Sequence, residues 1–516
     1  MKLNPVFQTA SVPIPDRSGF DLSREHIFTA PVGTLVPAEC FEVLPNDTIS
    51  MGAVAKTTLP PFAVPFMGRI DACLEAFFVP SRILWKSWQA FITQNTGVQG
   101  VSGYPIVVPT IDLSLEVNQP FLGNGTLADY LGFKYAGTTT LSISAMKFLA
   151  YHKVADEWYR DQNNVKPFFA KNPNSTQAGG SVSAHIIDSY PTTYNPIVLP
   201  LGLQSASSSA FNDQIDTTIG LGSLRQRSWA KDYFTTMTTR PQAGDSAQIT
   251  FATSGSTGNI TISDIRAANA LQKWLERNNI SGTDYGSQIL AHFGVTPPDA
   301  VLNKPLLLGQ VRDSVYVGSV ENNSNAGFAS DGDASDNPFG ATLGTAAGFA
   351  SGFNKGSLIP EFHAKEHGYI LVMYSLVPHA YYNSGIEREL RHTTIGDYAW
   401  PEYAKIGDQP VYAEELWTGA ASSLTIGYNQ RYSEYKFRPD KISGLLRDGG
   451  NLDVYALQRG FESTPSLGKD FLEIPTDYLD QVSNVNYAVS RFGAMVDFYA
   501  DTRAIRLLPE YSLPSL

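Results

Sequence analysis

The sequence predicts a mainly β protein, a double-sheet roll whose long inserted loops carry much of the mass and hold a few helices. Composition is the first reason. Charged residues are 17% of the 516, and Gly, Pro, Tyr and Phe number 43, 32, 25 and 28. A typical globular protein has about 25% charged residues. Few charges, many aromatics and many backbone punctuators suit strands with long connections. The second reason is that strand-like pieces are scattered along the whole chain. The third is that no internal repeat divides them, although the length exceeds the usual domain of about 50–250 residues. One scaffold with large insertions is therefore expected, spanning residues 25–516 as a single domain.

Residues 1–24 read as an extended arm, because Pro5, Pro13 and Pro15 restrict the backbone and no period holds. Residues 25–80 read as strands joined by turns. Leu35 to Val43 partly alternates, Pro45-Asn46-Asp47 marks a turn, and Arg69 to Val79 is apolar and aromatic. Ser81 is placed to cap a short helix with Leu84, Trp88 and Phe91 or Ile92 on one face. A second helix is expected over Ser142 to Tyr159. Residues 165–224 read as a large surface insertion, and its stretch from 172 to 224 has no Lys or Arg. Helical spacing returns at Asp264 to Arg277 and at Asp284 to Phe293. Residues 313–354, dense in Gly, Ala, Ser and Asn, read as a loop system. Gly368 to Pro378 is the strongest strand signal, apolar enough to be buried on both faces. Further strand-like pieces are Tyr428 to Tyr435, Val454 to Leu457 and Val489 to Ala500.

The net charge of −12 argues against a general nucleic-acid coat, since neutralised phosphates supply that kind of affinity. Any DNA contact must be local or shared with a basic partner. Residues 431–447 are the first candidate. Arg431, Lys436, Arg438, Lys441 and Arg447 outnumber Glu434 and Asp440, and Tyr432, Tyr435 and Phe437 interleave with them. Rings among cations make a tolerant platform for single strands. Arg225, Arg227 and Lys231 are the second candidate. The bland alternative for both is a solvated basic face or ion pairs.

Other chemistry is thin. Cys40 and Cys73 make no disulfide framework and read as buried thiols. Met1 to Pro15 has no apolar core of a secretory signal, and the apolar run Ile370 to Pro378 is far short of a membrane span. No phosphate loop, dinucleotide fingerprint or serine elbow is present, and no cofactor is expected. His363-Ala-Lys-Glu366-His367 matches an inverted zinc-peptidase motif, which needs a helix to set both histidines on one face. Gly368 and a strand follow at once, so a polar turn is the preferred reading and no metal is expected. An aromatic-rich β protein that binds or cleaves glycans is the remaining rival class.

Several blocks, in order, carry a resemblance. They include Arg17-Ser-Gly-Phe-Asp21, Glu42-Val-Leu-Pro-Asn-Asp-Thr48, Phe77-Phe-Val-Pro-Ser-Arg82, Lys231-Asp-Tyr-Phe-Thr235, His292-Phe-Gly-Val295, Arg431-Tyr-Ser-Glu-Tyr435 and Arg438-Pro-Asp440. Through most of its length the chain resembles the major capsid proteins of the Microviridae, small tailless single-stranded-DNA phages, and most closely the gokushovirus-like branch. It departs where Met-Thr-Thr-Arg-Pro stands in place of the family's frequent Leu-Pro-Trp-Pro. The resemblance implies a non-enzymatic shell subunit with an eight-stranded antiparallel jelly roll. It further implies sixty copies in a T=1 shell around circular DNA, assembly in the bacterial cytoplasm, and threefold protrusions built by the 165–224 insertion. The implied partners are viral DNA, small DNA-binding, scaffolding or pilot proteins, and a host receptor met by the outer loops.

Overall fold

A computed structural model describes residues 17–62, 65–85, 88–93, 108–113, 120–133, 141–165, 168, 220–243, 262–282, 285–321, 346–421, 423–482 and 493–511. Nine strands of the described chain form one continuous antiparallel arrangement. They are β1 (Ser18–Asp21), β2 (Arg24–Ala30), β3 (Val36–Val43), β4 (Thr48–Phe62), β5 (Ile70–Pro80), β8 (Leu306–Glu321), β9 (Ala346–His363), β10 (Gly368–Pro378) and β13 (Ala494–Arg506). Two minor pairs stand apart, β6 (Thr110–Asp112) with β7 (Ser142–Ser144), and β11 (Gln409–Tyr412) with β12 (Thr425–Asn429).

The long strands divide into two layers. In the first, β1 and β2 both pair with β13, followed by β4 and β9; in the second the order is β3, β10, β5, β8. β8 joins the layers, its first part pairing with β5 and its end, Tyr316 to Glu321, with β9. Because β1 and β2 are one edge interrupted at Leu22-Ser23, the count is the eight strands of a jelly roll.

Period-two alternation explains how the layers meet. Ile49, Met51, Ala53, Val496, Phe498 and Ala500 of the first sheet pack on Ile70, Leu74, Phe78, Ile370, Val372 and Tyr374 of the second. Two buried hydrogen bonds cross that core. Thr57 Oγ1 and the Tyr374 hydroxyl lie 2.7 Å apart, and Asn354 Nδ2 donates to the Ala72 carbonyl at 2.8 Å. The second sheet is also covered on its outer face. Phe77, Val79, Leu371 and Met373 pack there against Met146, Leu149 and Tyr151 of the helix Met146–Val154 and its π-helical continuation Ala155–Tyr159. Cys40 and Cys73 are buried free thiols, and burial pushes them up to about 12 and about 11.

Several expectations need correction. Ser18–Asp21, assigned to the arm, is a strand hydrogen-bonded to β13; residues 1–16 lie outside the described residues. The 313–354 loop begins and ends as strand, since β8 runs to Glu321 and β9 starts at Ala346. Glycine misled the reading there. A Cβ at Gly318 would stand 2.8 Å from the Phe349 ring, and one at Gly352 would stand 3.2 Å from Val315 Cγ2. These glycines let β8 and β9 approach closely and do not mark a loop. Ser81 does not cap: Pro80 is the N-cap residue, and helix Ser81–Leu84 breaks at Trp85 before Trp88–Thr93. The helix over Ser142 to Tyr159 starts only at Met146, after β7. Ser433–Tyr435 and Asp453–Tyr455 are 3-10 turns, not strands. The 165–224 insertion falls almost wholly outside the described residues.

Candidate nucleic-acid interface

Beyond Pro378 the chain leaves the sheets and folds as short turns, among them Arg388–Arg391, Ile395–Asp397 and Pro401–Tyr403, around the β11–β12 hairpin. Such a segment has few ladder bonds, so side chains must satisfy its backbone. Asp397 accepts from the Thr393 and Thr394 N–H groups at 3.0 and 2.7 Å and from Thr394 Oγ1 at 3.0 Å, and these bonds hold its carboxyl below the usual value.

Beneath the turns lies a buried ion-pair lattice. Arg388 donates to Glu415 Oε1 at 3.1 Å and stands 3.8 Å from Glu434 Oε1. Tyr233 donates to Glu415 Oε2 at 2.8 Å, and Gln409 to Glu434 Oε2 at 2.6 Å. Burial raises the Glu415 carboxyl above its usual range, against the opposing pull of Arg388. Glu434, which counts against the basic patch in the sequence, is thus turned inward and matched there.

The surface above presents the sequence-predicted cations. Lys436, Arg438, Lys441 and Arg447 are exposed, as are the rings of Tyr435 and Phe437. Arg438, Lys441, Arg447 and Phe437 line a cleft of about 480 Å³ whose floor includes Tyr233 and Glu415. Two acids from outside the 431–447 window join them. Glu389 meets Arg438 at 3.2 Å and Glu387 meets Lys441 at 2.6 Å. These pairs are solvent-exposed and so contribute little, leaving the cations open to exchange partners. Tyr432 is not a stacking surface. Its ring is buried, its backbone is left-handed at φ +60°, and its hydroxyl accepts from the Trp400 N–H at 3.2 Å. Arg431 is half-buried and lies over the Tyr432 ring at 5.0 Å.

The second predicted cluster is mostly internal. Arg225 is 3% exposed and stands 3.3 Å from Asp156. Arg227 donates to both Glu75 oxygens at 2.8 and 3.3 Å and to Ser375 Oγ at 2.9 Å. Arg225 is thus buried within the fold, whereas Arg227 is held on the outer face of the second sheet by Glu75 and Ser375 and lines a cleft there. Lys231 remains half-exposed, bonded to Asp161, at the same cleft of about 370 Å³, which Arg160, Arg312 and Trp158 also line.

Sequence reading missed the polar cluster around Asp71. Arg69 (2.9 Å), Arg312 (2.5 Å), Ser314 (2.7 Å) and His379 (3.3 Å) converge on this buried carboxylate from β5, β8 and the end of β10. Burial alone would raise its pKa. The bonds from Ser314, Arg69 and Arg312 outweigh that and hold it well below the carboxylate range. No local pattern announces residues brought together from three strands.

The zinc-motif residues are not on a helix. His363 ends β9, Glu366 pairs with Arg82 at 2.8 Å, and His367 meets the Trp88 ring edge-on at 5.8 Å. Among the described residues no three His, Cys, Asp or Glu gather as a metal site, and no helix is long and apolar enough to cross a membrane.

Two packed antiparallel sheets with long irregular excursions define a jelly-roll protein, the architecture of viral capsid, lectin and cupin domains alike. Fold does not choose among these. The family described as capsid protein (F protein) matches residues 7–516, and the chain belongs to that family. It is similar to capsid protein VP1 of Chlamydia phage 1, at 26% identity over 97% of this chain and 96% of that one. It is also similar to capsid protein VP1 of Bdellovibrio phage phiMH2K (27%, covering 97% and 95%) and of Spiroplasma virus 4 (25%, covering 97% and 95%). The chain is a structural capsid protein of a virion, and its likeness is to proteins of that structural kind.

Proposed function

We propose that this chain is the major shell subunit of a gokushovirus-like member of the Microviridae, sixty copies closing a T=1 shell around circular single-stranded DNA. Family membership over nearly the whole chain, together with the jelly roll, is the observation that supports this most directly. Closed symmetry would saturate each subunit's edge surfaces, and many modest contacts would act together. DNA would be held locally, because the chain is acidic overall. Lys436, Arg438, Lys441 and Arg447, with Tyr435 and Phe437, supply exposed cations and rings of the kind that hold single strands. A small basic protein of the same phage would share the remaining neutralisation, and outer loops would meet the host.

The test is to replace Lys436, Arg438, Lys441 and Arg447 together by Gln. Particles should form, with the DNA content per particle reduced several-fold by absorbance and nuclease-protected yield. Unchanged DNA in well-formed particles would sink the DNA assignment. Failure of the wild-type chain to form particles would sink the shell reading.

A further inference from the structure

The helix Ile262–Ser281 is 20 residues long, yet Asn278 is its only buried residue, and the neighbouring helix Tyr285–Phe293 buries none. A helix draws most of its stability from packing an apolar face. Here the apolar residues stay open: Ile262, Ile265, Leu271, Trp274 (51%), Leu290 and Phe293 (79%) are all exposed. They do not form one stripe. At 100° per residue, Ile262 and Leu271 point to opposite sides, so the open apolar residues are not confined to one face.

The attachments to the rest of the subunit are polar. Gln272 donates to Gln242 at 2.6 Å, and Asn279 donates to the Arg240 carbonyl at 2.8 Å and to Thr238 Oγ1 at 3.1 Å. His292 and Asn278 are 2.6 Å apart. The pair is therefore anchored by hydrogen bonds while its apolar surface faces outward.

We propose that this helix pair is an inter-subunit clasp that packs on a second copy of the same chain. The inference rests on the shell reading above. Those six open side chains amount to roughly 700 Å², at about 200 Å² for each when fully exposed and about half to four-fifths of each open. That exceeds the ~300–600 Å² of the largest patch on a typical monomer and approaches the ~800 Å² each partner gives a standard interface. Charge gives DNA little purchase here, since Arg266, Lys273 and Arg277 are nearly balanced by Asp264 and Glu276. A membrane surface would call for a one-sided apolar face. A second copy offers apolar counter-surface of its own, including Leu390, Ile395 and Trp400.

The experiment compares the full chain with Leu271→Asp/Trp274→Asp. Both positions are exposed, so melting of the unassembled subunit should be unchanged while particle yield falls about tenfold or more, the effect of losing ~1.4 kcal/mol. Hydrogen exchange on the wild type keeps the test independent of the variant's folding: amides of 262–281 should exchange far more slowly in particles than in dissociated subunits. Wild-type particle yield from a folded variant would overturn the clasp, as would equal exchange in both states. So would particles of normal yield that lack a different virion protein. If the wild-type chain forms no particles, it is the shell reading that falls.

Discussion

The two sheets of the roll differ in how many faces they bury. In β13 burial alternates residue by residue, with Met495, Tyr499 and Arg503 outward and Val496, Phe498 and Ala500 inward. In β10 all eleven residues are buried. The first sheet has one face in the core and one open. The second is packed between that core and the helical layer around Met146 to Tyr159. The chain writes this difference into its strands: AMVDFYADTRAIR alternates, whereas GYILVMYSLVP is apolar nearly throughout. A strand's sequence thus records how many packed neighbours its sheet has.

Substitutions at matched sites should expose that asymmetry. Leu371→Ala removes a fully buried side chain from the doubly covered sheet and should cost about 2–5 kcal/mol in urea unfolding of dissociated subunits. A cost near zero would mean that the helical layer does not press on the sheet.

A pH-dependent effect, absent at neutral pH, should come from that layer itself. His152 is fully buried, and its Nε2 lies 2.8 Å from the Leu221 carbonyl. Burial, and then repulsion from Arg225, pushes its pKa down to about 3. The folded state therefore refuses a proton that the unfolded chain accepts below about pH 6.5. No penalty exists above that pH. As pH falls from about 6.5 toward 3, stability should drop by up to ~1.4 kcal/mol per unit from this group. His152→Gln should flatten the pH dependence of unfolding by about one proton between pH 6 and 4. An unchanged slope would show that the ring is solvated. Least affected should be Tyr499→Ala on the open face, within about 0.5 kcal/mol for the dissociated subunit. A larger loss there would mean the face is covered within the subunit.

Much of this architecture was legible in advance. Gly368 to Pro378 was bounded correctly because a doubly buried strand is a continuous apolar run ended by a proline. The helices Ile262–Ser281 and Tyr285–Phe293 were legible from their spacing. β9 was not, because Gly352 and Gly356 serve close strand packing that only its neighbours explain. In the candidate interface Arg438 and Lys441 stood exposed as expected, but the reading could not separate Arg225 from them. Nothing local distinguishes an arginine facing Asp156 inside the fold from one facing solvent.

The sequence by itself determined how many faces of β10 and β13 are buried, since side-chain alternation is a property of consecutive residues. Tertiary structure alone decided where the charges point. Glu434 sits among the cations of 431–447 in the chain, yet it is spent beneath the surface on Arg388, while Glu387 and Glu389 come to Lys441 and Arg438 from some fifty residues away. Charge interactions follow distance and burial in space, and the order of residues along the chain does not fix either.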